Sequence, residues 1–495
     1  MMVKDRSSNA FDTIRIRGKW WIPDGTENPR KVPGELTFEV SGGGILELDE
    51  ALSDDIREIS VIHGQETKGE SITIFNGCSD GLQMNANSMG VFRLERIRFY
   101  DMWVGSCWFD GKDDVKLCNY SFGVHNIENW ANWRCFSVPT PIEAKPKNLS
   151  LEYKPPKPIL LFEDERLTIH LDVFWSGPSL SIGQLESSIQ HYPRIVIRSK
   201  DGMLPYYGKG GSLSEREWMI FVLLALLMGT VTWKFGFAGI VEPIHKTDAG
   251  YTQEVSVRHY FQHDWGKVEP SKRPIHFELL FPYETLGNQF PAIAKLFSEI
   301  LRTNENPIAL IFLLQCKKRT FYPSTLPELL FAFEELAKNL LPALNAPIER
   351  EEKKRIKALR KALEPHFPKA EKEWLSQKLS FKGLSFTQRF HIAFQEMKDI
   401  YPELGTDLAT PLIDYFRRTR NDYAHSVKSI SDDHTLYIYA THWLAEFMTL
   451  LVLRSCGLSS ETIRTVFFRN PGPDRGKTQR FFDYLRMEVA TGNLD

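Results

Sequence analysis

The stretch TPLIDYFRRTRNDYAH, Thr410 to His425, decides how the C-terminal part of this chain reads. Thr410 as a cap with Pro411 at the first helical position predicts a helix start. Leu412, Tyr415, Phe416, Thr419 and Tyr423 then share one stripe, which predicts a face turned to a helical core. A second stripe carries Asp414, Arg418, Asn421, Asp422 and His425 at about 100° per residue. Arg420 lies about 140° from His425 on a straight helix. The two converge only through a long arginine reach, an unwound helix end, or a second copy of the segment. Arginine holds phosphates and histidine moves protons near neutral pH, so Arg420–His425 has the residue types for phosphate chemistry.

Upstream the same helical period recurs. Leu329, Leu330, Phe333, Leu336, Ala337 and Leu340 sit at spacings of three and four. Thr325-x-x-Glu328 reads as a capping box opening a helix over Pro327–Leu341, and Ser385-x-x-Gln388 as another opening Phe386–Ile400. A charged helix is expected at Ile348–Leu363. A long apolar one follows at Asp433–Ser455, stopped by Gly457, and a short last one at Phe481–Glu488. No strand pattern follows Thr325, which predicts an all-α bundle.

The first two hundred residues read as β instead, with several alternating positions in Val91–Trp103. Thr13–Trp21, Gly34–Val40, Ile45–Leu48, Ile59–His63, Ser71–Phe75, Val91–Trp103, Leu149–Tyr153, Ile159–Phe162, Leu167–Phe174 and Arg194–Arg198 are short β-rich runs. Gly, Pro, Asn and Asp punctuate them. Their number and spacing predict a sandwich or barrel-like sheet. Glu215–Trp233 predicts a buried helix, Gln253–Phe261 and His276–Phe281 two more strand-like stretches, and Thr285–Arg302 and Ile308–Gln315 helices. The expected fold class is α+β and multidomain. A β-rich region with inserted helices covers residues 1–305, and an all-α bundle with a basic C-terminal tail covers 306–495.

A length of 495 residues exceeds one ordinary core. Hydrophobic and charged shares of 42% and 25% are those of a soluble globular protein. With a formal net charge of −2, any nucleic-acid binding must come from a local patch. Cys78, Cys107, Cys118, Cys135, Cys316 and Cys456 form no CxxC pair, which favours a reducing, cytoplasmic setting. Met1 to Trp21 carries charges and no apolar run, so no signal peptide is expected there. Trp218–Trp233 is uncharged, but about 24 Å of helix falls short of a hydrocarbon core of about 30 Å. It is expected as a buried helix, not a membrane span.

Arg420-x4-His425, with Asn421 directly after the arginine and set on a helical bundle, resembles the HEPN superfamily signature. Gly18-Lys-Trp-Trp-Ile-Pro23, Gly34-Glu-Leu-Thr-Phe38 and Ile72-Thr-Ile-Phe-Asn-Gly77 resemble the β-rich N-terminal domain of ApeA-type proteins. Leu326–Leu340, with Phe333-Glu-Glu-Leu336, is similar to the opening helix of the Apea-like HEPN domain. The resemblance implies a metal-independent endoribonuclease of bacterial anti-phage abortive infection, with tRNA among the candidate substrates. His425 would exchange protons with the 2′-OH or the leaving 5′-oxygen, and Arg420 would stabilise the phosphorane. Asn421 would orient the motif or hold a phosphate. Asp422, Asp414 and Arg418 are weaker positioning candidates. Neither cofactor nor metal is needed, because the nucleophile lies in the substrate. Pairing of two copies in a homodimer or higher even oligomer would place two motifs in one cleft. A phage-derived activator is expected at the N-terminal domain.

Blander readings stand beside these. Asp414 and Arg418 read as a surface i,i+4 ion pair; Glu334 and Glu335, on the opening helix, can face the motif, but the reading as a solvated edge is preferred. His259-x3-His263-Asp264 with His245 invites a metal reading, but strand spacing holds i and i+4 too far apart. Gly472–Thr478 has three residues between its glycines where a P-loop needs four. Lys353 and Lys354 on the charged helix, and Arg475, Lys477 and Arg480 among the tail's phenylalanines, could grip an RNA backbone. The tryptophans of the N-terminal part are mostly core residues. The rival functional reading is a non-catalytic dimeric scaffold with an aromatic recognition domain.

Overall fold

The computed structural model describes residues 13–39, 42–52, 58–87, 90–124, 126–133, 136–137, 152–176, 190–209, 211–228, 233–246, 252–262, 281–316, 324–366, 368, 371–378, 380, 383–424, 434–469 and 475–491, and all structural statements concern these. The chain packs as two units, Met1–His276 with Pro282–Pro291, and Phe277–Phe281 with Ala292–Asp495.

The first unit begins with a closed six-stranded antiparallel barrel. Its strands are β1 (Ile14–Trp21), β2 (Val32–Glu39), β3 (Gly43–Leu48), β4 (Glu58–Glu66), β5 (Ser71–Asn87) and β6 (Gly90–Phe99), in the order β5-β4-β1-β2-β3-β6, with β6 returning to β5. Closure follows from the length of β5. Its first half pairs with β4, and from Cys78 onward it pairs with β6. A register shift between Ser79 and Leu82, where Gly81 has φ 98°, lets the strand bend between the two jobs.

Alternation fixes the register. Arg15, Arg17 and Lys19 are exposed on β1, while Ile16 and Trp20 join Leu36, Phe38, Leu46, Ile62, Ile72, Ile97 and Phe99 in one buried cluster. Burying Trp20 removes about 200 Å² from water, a gross gain of about 5 kcal/mol. Two glycines make room for rings. A Cβ on Gly64 would sit 2.3 Å from the Trp20 ring, and one on Gly44 2.0 Å from that of Phe99.

Further along come β7 (Asp101–Gly105), β8 (Lys116–Leu117), β9 (Asn119–Val124), α1 (Ile127–Ala131), β10 (Phe136–Ser137), β11 (Glu152–Tyr153), β12 (Ile159–Glu163), β13 (Leu167–Ser176), β14 (Gln190–Ser199), β15 (Leu204–Pro205), α2 (Leu213–Met228), β16 (Trp233–Lys246) and β17 (Thr252–Phe261). From β5 the sheet continues outward as β7-β17-β16-β9-β14-β13-β12, all antiparallel. The run expected as one strand, Val91–Trp103, is split at exposed Tyr100. Before it the chain pairs with β3 and β5, and after it with β5 and β17. α2 is buried from Met219 to Met228. It ends before the expected Trp233, which opens β16. The expected strand His276–Phe281 falls outside the described residues except for Phe281, and Leu149–Tyr153 is described only as β11.

Helices α3 (Tyr283–Leu286), α4 (Phe290–Thr303), α5 (Glu305–Cys316), α6 (Thr325–Leu340), α7 (Pro342–Leu363), α8 (Lys372–Lys378), α9 (Phe386–Met397), α10 (Ala409–Ala424), α11 (His434–Ser455), α12 (Ser460–Arg469) and α13 (Arg475–Ala490) complete the chain. The second unit is an all-α bundle. α6 packs on α5, α9, α10 and α11, and α11 also packs on α13. Aromatic rings fill its centre: Phe333 stacks on Phe390 at 3.9 Å, and Trp443 on Phe447 at 5.0 Å and Phe481 at 5.4 Å.

Helix ends obey local chemistry with two corrections. Ser385 and Gln388 form the expected reciprocal capping box. After α11, Gly457 at φ 97° lets Leu458 N–H reach the Leu453 carbonyl and Gly457 N–H that of Arg454, which stops the helix. Thr325, however, lies inside α6 and is no cap. The orphan Leu326 N–H of that first turn donates to the Tyr437 hydroxyl at 3.0 Å instead. Thr410 likewise lies inside α10, which starts at Ala409. Upstream, the Thr406 carbonyl accepts from Ala409 N–H and its hydroxyl from Leu408 N–H.

The expected last helix, Phe481–Glu488, lies within α13, which starts earlier, at Arg475, and so takes in part of the segment expected as a basic tail. Phe481 and Phe482 are buried against Trp443, so they are core residues and not platforms for bases. By length and composition Thr435–Ser455 of α11 could cross a membrane, at mean hydropathy 1.4; 78% of that window is buried within the protein.

Candidate active site

α10 carries the motif. Leu412, Ile413, Tyr415 and Phe416 are buried and Thr419 half-buried, which fixes the helix on α6 and α9. Its last turn, Asn421 to Ala424, is exposed on every side. Tyr423 therefore lies in solvent at 45% exposure, although it shares the angular position of the buried stripe. The helix end runs past the bundle that buries its earlier turns.

Arg420 is the point where three helices meet. Its Nη2 donates to Glu334 Oε2 of α6 at 2.8 Å. The other oxygen of that carboxylate, Oε1, accepts from Arg389 Nη1 of α9 at 3.3 Å, and the same nitrogen donates to the Glu334 carbonyl at 3.1 Å. The guanidinium carbon of Arg420 lies 5.1 Å from the Phe331 ring centre and 5.5 Å from that of Phe386, within cation–π range. Nη1 approaches Asn421 Oδ1 at 3.4 Å. Nε is buried with no hydrogen-bond partner among the described residues. Side-chain exposures of 27% for Arg420 and 25% for Glu334 leave the pair open to water. Such a pair contributes about 0–1 kcal/mol, so it sets geometry more than stability.

The structure brings together Arg420 and Asn421, and adds Glu334, Arg389, Phe331 and Phe386. Glu334 is thus no solvated edge, whereas Glu335 is exposed as expected. Arg389 escaped the sequence reading. Its only local signal was a place one turn into a capped helix. Asp414 pairs with Arg417 at 3.0 Å, not with Arg418, because i+3 and i+4 are both neighbours on a helix. Arg418, Asn421 and Asp422 are exposed. His425 lies outside the described residues. Lys353 and Lys354 are exposed on α7, with Lys353 3.7 Å from Glu349. Arg480 is exposed on α13, and the side chains of Arg475 and Lys477 lie outside the described residues.

A second polar cluster sits in the first unit. Asp101 accepts from the Tyr207 hydroxyl at 2.6 Å, lies 2.8 Å from His259 Nε2, and has Lys112 Nζ at 3.6 Å. His259 is 3% exposed and stacks on Trp103 at 4.2 Å. Burial works to raise the Asp101 carboxyl, but His259, Tyr207 and Lys112 together hold it below its ordinary value. Burial and the neighbouring Asp101 push Tyr207 well up. His259 thus has a carboxylate for a partner. Of the other residues in the metal reading, His263 and the side chain of His245 lie outside the described residues.

Two family models match this chain. ApeA N-terminal domain 1 matches residues 15–203, the barrel and much of the sheet beyond it. Apea-like HEPN matches residues 329–462, from the second turn of α6 into α12, a span that contains Glu334, Arg389 and Arg420. No curated protein and no solved structure matched. An antiparallel barrel that carries the first model's residues, and a helical bundle that carries the second's, give the chain the ApeA-type architecture of a HEPN-type anti-phage defence protein.

Proposed function

We propose that the helical unit is a metal-independent endoribonuclease, with Arg420 and His425 as its catalytic pair. The observation that carries the reading is the Arg420 guanidinium. It is fixed at the exposed end of α10, five residues before His425, in a segment that matches the Apea-like HEPN model. Arginine stabilises charge on a phosphorane more than on the ground-state phosphate. Histidine accepts the 2′-OH proton and returns one to the 5′-oxygen. The products are a 2′,3′-cyclic phosphate and a 5′-OH, and DNA, which lacks the 2′-OH, is inert. Asn421 orients the motif. Two chains supply two motifs to one cleft, because one histidine cannot serve as acid and base at once. Lys353, Lys354, Arg475, Lys477 and Arg480 are backbone contacts for the RNA. The β-rich unit senses a phage-derived trigger and restrains the nuclease until it arrives.

The test is incubation of the purified full chain with total RNA and excess EDTA, with and without extract of phage-infected cells, and analysis of the 3′ ends. Cyclic phosphates are expected from the native protein and not from folded His425→Ala. Equal cleavage by the two proteins would sink the catalytic role. No cyclic ends under either condition would favour a non-catalytic dimeric scaffold, and complete loss in EDTA a metal nuclease.

A further inference from the structure

The contact between Arg420 and Glu334 can be read as a plug or as a brace. A plug would cover the guanidinium fork with both carboxylate oxygens. Glu334 instead offers one oxygen to one Nη2 hydrogen, and gives its other oxygen to Arg389. Of the five N–H donors of Arg420, one is taken at 2.8 Å. A second nitrogen reaches Asn421 only at 3.4 Å, and Nε has no partner among the described residues. Among the described residues the fork is therefore held at one corner; Nε is buried, and the remaining Nη hydrogens are the donors left for an anion.

The brace is itself braced. Arg389 is 14% exposed and grips both the side chain and the main-chain carbonyl of Glu334, so the carboxylate is tied to the backbone of α6. Phe331 and Phe386 limit the swing of Arg420. Two guanidinium groups around one carboxylate leave the cluster with one net positive charge. An ion pair this exposed gives little stability, so its use lies in orientation.

We infer that Glu334 is the positioning residue of Arg420, locked in turn by Arg389, and that this chain across α9, α6 and α10 aims the guanidinium at the scissile phosphate. The inference rests on the ribonuclease reading above. Its test uses the full-length protein and an RNA that the native chain cleaves. Glu334→Gln keeps the shape and removes the charge. Displacement of a catalytic group by about 1 Å costs on the order of a hundredfold in rate, so kcat should fall tenfold to a hundredfold with KM within about twofold and an unchanged melting curve. Arg389→Gln should act in the same direction and more weakly. In an Arg420→Lys background, where no fork remains to be aimed, Glu334→Gln should add nothing further. Wild-type kcat in Glu334→Gln overturns the inference while the ribonuclease reading stands. A faster Glu334→Gln enzyme overturns it in favour of a plug. Additive losses in the Arg420→Lys background overturn it in favour of a general structural effect. If the native chain makes no cyclic ends at all, the ribonuclease reading fails and the positioning role falls with it.

Discussion

Each unit of the protein holds a cluster of charged and aromatic side chains: Asp101, His259, Tyr207 and Lys112 with Trp103 in the first, and Arg420, Glu334 and Arg389 with Phe331 and Phe386 in the second. Asp101, His259 and Tyr207 would pass for catalytic partners on residue type alone. Their surroundings say otherwise. His259 is sealed under Trp103 at 3% exposure, and Asp101 is spent on His259, Tyr207 and Lys112. Arg420 and Glu334 are about one-quarter exposed, at a helix end that projects from its bundle. Access and uncommitted donors, more than residue identity, separate a core network from a candidate site.

The sharpest way to break this contrast is to remove one member from each cluster. Arg420→Ala should lower RNA cleavage by about 10²–10³, the loss seen when one stabilising donor is deleted, with little change in melting temperature. A variant that melts far below the native protein would place Arg420 with the structural residues instead.

Asp101→Asn should show the reverse pattern. The amide cannot accept from His259 and Tyr207 as a carboxylate does, and it leaves Lys112 without its partner. Loss of one side of a buried pair costs about 3 kcal/mol, read as a lower denaturant midpoint of the first unit. The sign of the pH effect follows from the carboxyl, which is held below its ordinary 3.8 when folded. Its contribution is present above about pH 4 and is lost as pH falls through the lower folded value. Acid unfolding of Asp101→Asn should therefore be less steep than that of the native protein below about pH 4. Identical slopes would remove Asp101 from the acid response.

The contrast between units also shows what one sequence can carry. The β-rich runs of the first unit and the 3.6-residue stripes of α6 and α10 are local, and both architectures follow from them. Closure of the barrel is not local. It depends on β5 being long enough to serve two partners and on the chain leaving the barrel at Tyr100. Ser385 was legible as a cap because its partner lies three residues away. Thr325 misled because the helix starts one residue earlier: the Glu328 N–H that a cap would satisfy donates to the Ser324 carbonyl, and the Leu326 N–H is met by Tyr437, 111 residues on. Glu334 and Arg420 are 86 residues apart, and neither wheel nor spacing shows that they meet.

The smallest expected effect bears on the stripe that shares the motif's helix. Asp414 was a positioning candidate on sequence grounds, since it falls in line with Arg418, Asn421 and His425. In the structure it pairs with Arg417 at 3.0 Å, both side chains at 40% exposure or more. Water screens such a pair, and fixing two flexible side chains offsets most of the attraction, so its worth is at most about 0.5 kcal/mol. Asp414→Asn should leave the melting temperature and RNA cleavage within error of the native protein. A tenfold loss of cleavage in that variant would mean that the aligned stripe reaches substrate when two chains pair. The site would then lie on the exposed face of α10 and not at its junction with α6 and α9.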